Sequence, residues 1–265
     1  MKGRLELMKT KVFHQFISLV KGYKNTVILD FLKGSVFSIE NEFIKKFEKG
    51  EFKGIEDFVK SLEEEEMIIE VEKGEWVPSI EFKSNEIRND LKPVLETEEG
   101  VNIKLLQKKF YDYEFQRVTF FGNNKPAEIL PFTLTFQKEK NFQQCLQCSK
   151  VSADLDEIDE ESFIFNKYYN SCWGKKLAVT KDMKVRPCIY SEIAFGDLEQ
   201  ENIDDIFKSA EKYWCITKDK VEKCKDCERR YNCFDCREIA RRVKGDLYAA
   251  NPYCNYDPYN GNWSG

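Results

Sequence analysis

With 265 residues, 42% of them hydrophobic and 14% aromatic, the chain carries enough apolar material for two modest domains or one large one, and too much for a disordered segment. Its net charge of −5 argues against a wholesale nucleic-acid binder, and a single histidine, His14, all but removes imidazole acid–base chemistry and mixed cysteine–histidine zinc sites. VFHQFISLV, the longest apolar run near the N-terminus, is interrupted by His14 and Gln15, so the expectation is a cytoplasmic protein with no membrane partner and with reduced cysteines.

Residues 1–84 read as a compact α+β unit. VFHQFISLV and TVILDF have the β-branched and aromatic composition of strands, and Lys33-Gly34 marks a hairpin turn before SVFSI. His14, on the first of these strands, takes a structural role. Ile39, Phe43, Ile44 and Phe47 recur at helical spacing behind Ser38 as N-cap, and Ile55, Phe58, Val59 and Leu62 line one face of a second short helix. The acidic run at 63–66 is its solvated end. MIIEVEKGEWV closes the unit as a hairpin turning at Lys73-Gly74. Strands, two helices and a hairpin predict a winged-helix-like arrangement.

Residues 85–144 predict a short α/β segment, with NIKLLQKKFYDY as a helix capped by Asn102, RVTFF and FTLTF as two strands, and no catalytic motif. Ten cysteines then crowd into the remainder, none before Cys145 and none after Cys254. That shift in composition separates an ordinary folded region from a metal-stapled one over residues 145–265.

CKDCERRYNCFDC presents Cys224-x2-Cys227-x5-Cys233-x2-Cys236. Each CxxC turn aims two thiolates at a metal and points backbone amides toward the sulfurs, and by spacing alone this is equally a structural zinc site. Upstream, Cys172 and Cys188 bracket WGKKLAVTKDMKVRP, an apolar hairpin turning near 181–183. Downstream, Cys254 follows Cys236 after seventeen residues that include the predicted helix REIARRVKGDLYA. Cys145 and Cys215 read as packing cysteines, the latter on the face set by Ile203, Ile206, Phe207 and Ala210. Arg229, Arg230, Arg237, Arg241 and Arg242 form a basic patch whose ordinary uses are solvation and neutralisation of a thiolate cluster. Trp173, Trp263, Tyr253, Tyr256 and Tyr259 are expected to wall the metal from water.

NSCWGKKLAVTKDMKVRPC, GDLEQENIDDIF, YWCITKDKVEKCKDCERRYNCFDCR and NPYCNYDPYNGNW together spell C-x15-C, then C-x2-C-x5-C-x2-C, then a final Cys. Over residues 145–263 this wording resembles the SPASM domain that follows the catalytic barrel of peptide-modifying radical SAM enzymes. It is most similar to the SPASM peptide maturases of grasp-with-spasm systems, and LVKGYKNTVILDF with its following helices is similar to the leader-recognition element of the same systems. The resemblance implies two 4Fe-4S clusters. Cys224, Cys227, Cys233 and Cys254 would hold the second, and Cys172, Cys188 and Cys236 the first, with Cys148 as its fourth ligand. Cys145 or an open position are the alternatives to Cys148, and two Zn2+ ions are the alternative to the clusters.

The chain departs from that family pattern in three places. Met183 stands where the hairpin usually carries glycine, and the spacing from Cys233 to Cys236 is one residue shorter than in many relatives. The radical SAM signature C-x3-C-x2-C is missing, since Asn141-x3-Cys145-x2-Cys148 lacks the first thiolate, and the twenty-three residues between Cys148 and Cys172 leave no room for a barrel. No nucleophile or acid–base pair stands out, so no catalytic residue is assigned. The expected role is accessory, in maturation of a ribosomally made peptide: the protein binds the precursor's leader as an added strand and presents it to an ATP-grasp ligase or a radical SAM partner. A zinc-binding winged-helix transcription regulator is the alternative, weakened by the acidic net charge.

Overall fold

The computed structural model describes residues 9–75, 77–78, 86, 88, 90–124, 134–137 and 158–264. In the N-terminal unit, β1 (Lys9–Phe13) pairs antiparallel with β5 (Ile68–Glu72), while β2 (Ile17–Lys21), β3 (Asn25–Asp30) and β4 (Ser35–Glu40) form a separate antiparallel meander with β3 in the middle. The alternation of side chains along β3 divides its two faces. Ile28 packs with Ile17, Met67 and the buried faces of α1 (Asn41–Lys49) and α2 (Glu56–Glu64), which supply Ile44, Phe47, Val59 and Leu62. Each such side chain contributes about 1.5–3 kcal/mol by leaving water. Val27 and Leu29, on the opposite face, pack with Val20 and with Phe163, Ile164 and Tyr231 of the C-terminal half.

Two local expectations are corrected here. VFHQFISLV is two strands broken at His14, whose Nδ1 accepts the Phe16 N–H at 3.1 Å and whose carbonyl accepts the Ile17 N–H at 3.1 Å. That turn sends β1 and β2 into different sheets. Helix α1 starts after Glu40 and not after Ser38, because Ser38 and Ile39 are held in β4 opposite Val27 and Thr26. The turn at Lys73-Gly74 forms, with Gly74 at φ +93°, a conformation open to glycine at little cost. Of the predicted returning arm, Val77 is in no strand and Trp76 lies outside the described residues; the partner of β5 is β1.

A six-stranded sheet dominates the rest, in the order β11 (Gly196–Asp197), β10 (Lys184–Arg186), β9 (Lys176–Val179), β6 (Val94–Glu98), β7 (Arg117–Phe121), β8 (Leu134–Gln137). Strands β6 to β9 run parallel to their neighbours in this order, and β10 and β11 are antiparallel. RVTFF forms β7 and is buried from Val118 to Phe121, as a central strand covered on both faces should be. Helix α3 (Ile103–Lys109) starts as predicted, with the Asn102 side chain accepting the Leu105 N–H at 3.1 Å. Strand β6 was not anticipated. Its sequence VLETE hides an alternation in which Leu95 and Thr97 face inward.

Leu95, Leu106, Phe110 and Val118 share one core with Leu177, Val179, Val185 and Trp214. The boundary placed between residues 144 and 145 therefore runs through one sheet and one core. The remaining elements are α4 (Glu160–Tyr168), capped by Asp159, α5 (Ile203–Trp214), capped by Asn202, α6 (Arg237–Lys244) and the short pair β12 (Tyr256–Asp257) and β13 (Asn262–Trp263). Among the described residues no helix is long and apolar enough to cross a membrane.

Candidate metal centres

Asn170, buried just after α4, aims its side-chain oxygen at the backbone amides of Cys172 and Trp173, at 2.9 and 2.8 Å. Its amide nitrogen donates to Asp235 Oδ2 at 3.2 Å, and Ser171 Oγ accepts the Asp235 N–H at 2.8 Å. These cross-links hold the Cys172 turn against the Cys236 turn, and the Cys236 thiol donates a hydrogen bond to Cys172. That bond holds Cys172 below the ordinary thiol range and Cys236 above it. Cys188, which follows β10, completes the group; burial pushes its thiol up to about 12. Lys176 on β9 faces two of these thiols, Cys172 and Cys188. Burial alone would lower its pKa, but Cys172, Glu96 and Cys188 outweigh that and keep it protonated, with Glu96 at 3.1 Å.

Cys224, Cys227, Cys233 and Cys254 line a single cavity. A γ-turn centred on Lys223, at φ 64° and ψ −43°, delivers Cys224, whose N–H bonds the Glu222 carbonyl at 2.6 Å. Such turns are rare and strained, and they persist where the surrounding structure fixes them. Burial pushes the thiols of Cys224 and Cys227 up to about 12, so ionisation here needs a cationic partner. Lys218, Lys223, Arg229 and Arg230 supply charge to the lining, and no carboxylate joins them among the described residues. Lys218 is 6% exposed and donates from Nζ to the Cys233 carbonyl. Asp235 attracts that ammonium but is shared with Arg237, so beside neutral thiols the buried charge would be only partly compensated. Metal-bound thiolates would supply further negative charge beside it.

Backbone amides reach three of the sulfurs: Tyr190 to Cys188, Arg229 to Cys227 at 3.4 Å, and Ile239 to Cys236. Two buried donors next in sequence to Cys172 and Cys236, Trp173 Nε1 and Arg237 Nε, have no partner among the described residues. An all-thiol donor set, amides aimed at sulfur, a cationic lining and spare buried donors are what an anionic cluster requires. Among the described residues no three Cys, His, Asp or Glu side chains converge on a single ion, so the thiols are gathered into groups without being drawn onto one point.

The basic patch is consumed internally. Arg237 is fully buried, ion-paired with Asp235, and donates to the carbonyls of Leu247 and Ala249 at 2.7 and 2.8 Å. Arg241 and Arg242 both pair with buried Glu238 at 2.7 Å, and Arg230 pairs with Asp219 at 2.9 Å. Arg229 lies over the rings of Tyr256 and Trp263, at 5.5 and 5.0 Å. Of the residues expected to wall the metal, Trp173 is wholly buried and Tyr256 lines the second cavity, whereas Tyr253 and Tyr259 are exposed. Cys215 caps the C-terminus of α5 and packs on the main core. Asn141, Cys145 and Cys148 lie outside the described residues. Sequence reading missed Asn170, Lys176, Lys218 and Asp235; the only local signal was their position within a few residues of a cysteine or a turn.

Thiol groups presented on a β-hairpin and two CxxC turns are a donor set suited to a metal centre, by its residue types either iron–sulfur or zinc. Residues 172–228 match the family model of SPASM, an iron-sulfur cluster-binding domain. The matched span holds Cys172, Cys188, Cys215, Cys224 and Cys227, and Cys233, Cys236 and Cys254 lie beyond it. Comparison with curated proteins and with solved structures returns no match.

Proposed function

We propose that the protein is an accessory iron–sulfur protein in the maturation of a ribosomally synthesised peptide. Its N-terminal unit, winged-helix-like in composition, receives the precursor's leader, and its C-terminal unit carries two 4Fe-4S clusters. Cys224, Cys227, Cys233 and Cys254 hold one; Cys172, Cys188 and Cys236 hold the other, with Cys148, or Cys145, as its fourth ligand. When bound, the clusters supply structural cross-linking and one-electron capacity. The partner is an ATP-grasp ligase or a radical SAM protein.

The open edge of β4 carries the leader assignment. Hydrogen bonds at Gly22–Asn25 and Phe16–Phe31 fix which residues of β3 pair with β2, and by alternation Val36, Ser38 and Glu40 turn their backbone groups away from β3. Among the described residues nothing pairs with that edge. The β2 edge, by contrast, is occupied at its end, where Arg230 donates to the Lys21 carbonyl at 2.9 Å. A strand-adding peptide takes affinity from main-chain bonds and specificity from alternate side chains.

The test is calorimetric titration of the whole chain with the precursor peptide encoded beside it and with duplex DNA, at two salt concentrations. The whole chain is required because Val27 and Leu29 share a core with Phe163 and Tyr231. Peptide binding that is sensitive to an apolar-to-charged change in the leader and only modestly sensitive to salt supports the reading. DNA binding that falls steeply with salt, with no peptide binding, supports the regulator instead.

A further inference from the structure

Two buried lysines stand beside the two thiol groups, and their surroundings differ. Lys176 shares its charge with Glu96 at 3.1 Å. Lys218 has no ion pair with a carboxylate among the described residues; its bond is to the Cys233 carbonyl. The nearby Asp235 attracts Lys218 but makes its ion pair with Arg237. The second cavity is lined by Lys218, Lys223, Arg229 and Arg230 with no carboxylate among its lining residues, although buried Asp235 and Glu228 act on Cys224 and Cys227 from behind it and Arg230 is paired with Asp219. The first group, by contrast, faces a lysine–glutamate pair.

We infer that Lys218 sets the redox poise of the pair, stabilising the reduced, more negative state of the group held by Cys224, Cys227, Cys233 and Cys254 so that it is the more easily reduced of the two. The inference rests on the cluster reading given above. A cation fixed beside a site that gains an electron favours the gain, and it does so strongly where water is excluded.

The experiment is an anaerobic redox titration of the reconstituted full-length protein, followed by electron paramagnetic resonance, on the parent and on Lys218→Gln and Lys218→Arg. Lys218→Gln should make the higher-potential centre at least tenfold harder to reduce, a fall of about 59 mV for a one-electron couple, and leave the other centre in place. Lys218→Arg keeps the charge and should keep the potential within about threefold of the parent's equilibrium. If Lys218→Gln loses a centre that Lys218→Arg retains at the parent potential, the charge requirement stands. Unchanged potentials in Lys218→Gln, movement of the lower-potential centre instead, or loss of the centre in Lys218→Arg as well would overturn the inference while leaving two clusters in the parent. A parent that takes up no iron or sulfide overturns the cluster reading and this inference together.

Discussion

Tyr23 donates its backbone N–H to the carbonyl of Asp226 at 2.7 Å, tying the β2–β3 turn to the chain between Cys224 and Cys227. The Tyr23 ring meets Tyr259 edge-on at 5.1 Å, and Lys24 donates to the Asn260 carbonyl at 3.2 Å. The sheet proposed to receive the leader is therefore bonded directly to the loop of the second thiol group. Order in one is linked to order in the other, and by thermodynamic linkage any coupling of leader and metal binding runs equally in both directions.

Gly22 is where this junction is tightest. A Cβ there would sit 2.5 Å from the Glu228 backbone nitrogen and 2.7 Å from Glu228 Oε2, and Glu228 is itself buried against Tyr256. Gly22→Ala should destabilise the metal-loaded protein by about 1–3 kcal/mol, the usual cost of overpacking, and weaken metal retention. Thermal unfolding and metal content after dialysis measure both; an unchanged protein would mean that the contact is loose.

Ser38→Pro removes one outward-facing N–H from the β4 edge. Proline is tolerated on edge strands, so the fold should survive with a stability change within about 1 kcal/mol. Leader affinity should fall by about tenfold, one main-chain hydrogen bond's worth in a desolvated strand pair. Calorimetry on the variant checks it, with melting temperature as the control for folding.

Met183 occupies the left-handed region at φ 58° in the β9–β10 turn, yet its side chain is 4% exposed and lies in the main core. Met183→Gly relieves about 1 kcal/mol of backbone strain but deletes a buried side chain worth about 2–5 kcal/mol. The second effect wins, so the variant should be less stable. Chemical denaturation gives the sign directly.

Cys224→Ala and Cys227→Ala should each lower metal content and the melting temperature of the loaded protein by more than Cys215→Ala, which removes only a small packing group from the edge of a core. Equal losses in all three would end the division between ligands and packing cysteines.

How much of this was legible in the sequence depended on the range of the forces involved. β3, β4, α2, α3, β7 and the β9–β10 hairpin turn follow from local composition, periodicity and caps. β6 was illegible because its partners, β7 and β9, are supplied from elsewhere in the chain. The break at His14 depended on a single side-chain acceptor. Cysteine spacing and family resemblance grouped the thiols, but the Asn170–Asp235–Arg237 network that positions two of them joins residues 65 apart and left no local trace. The arginine patch read as a surface because charge alone cannot reveal that Asp235 and Glu238 are buried beside it.

The central claim is that these cysteines hold iron–sulfur clusters. Anaerobic purification followed by iron, sulfide and zinc determination tests it most directly. The account predicts a brown protein with about eight iron and eight sulfide per chain, on the two-cluster assignment. A colourless protein with two zinc ions and no sulfide would contradict it.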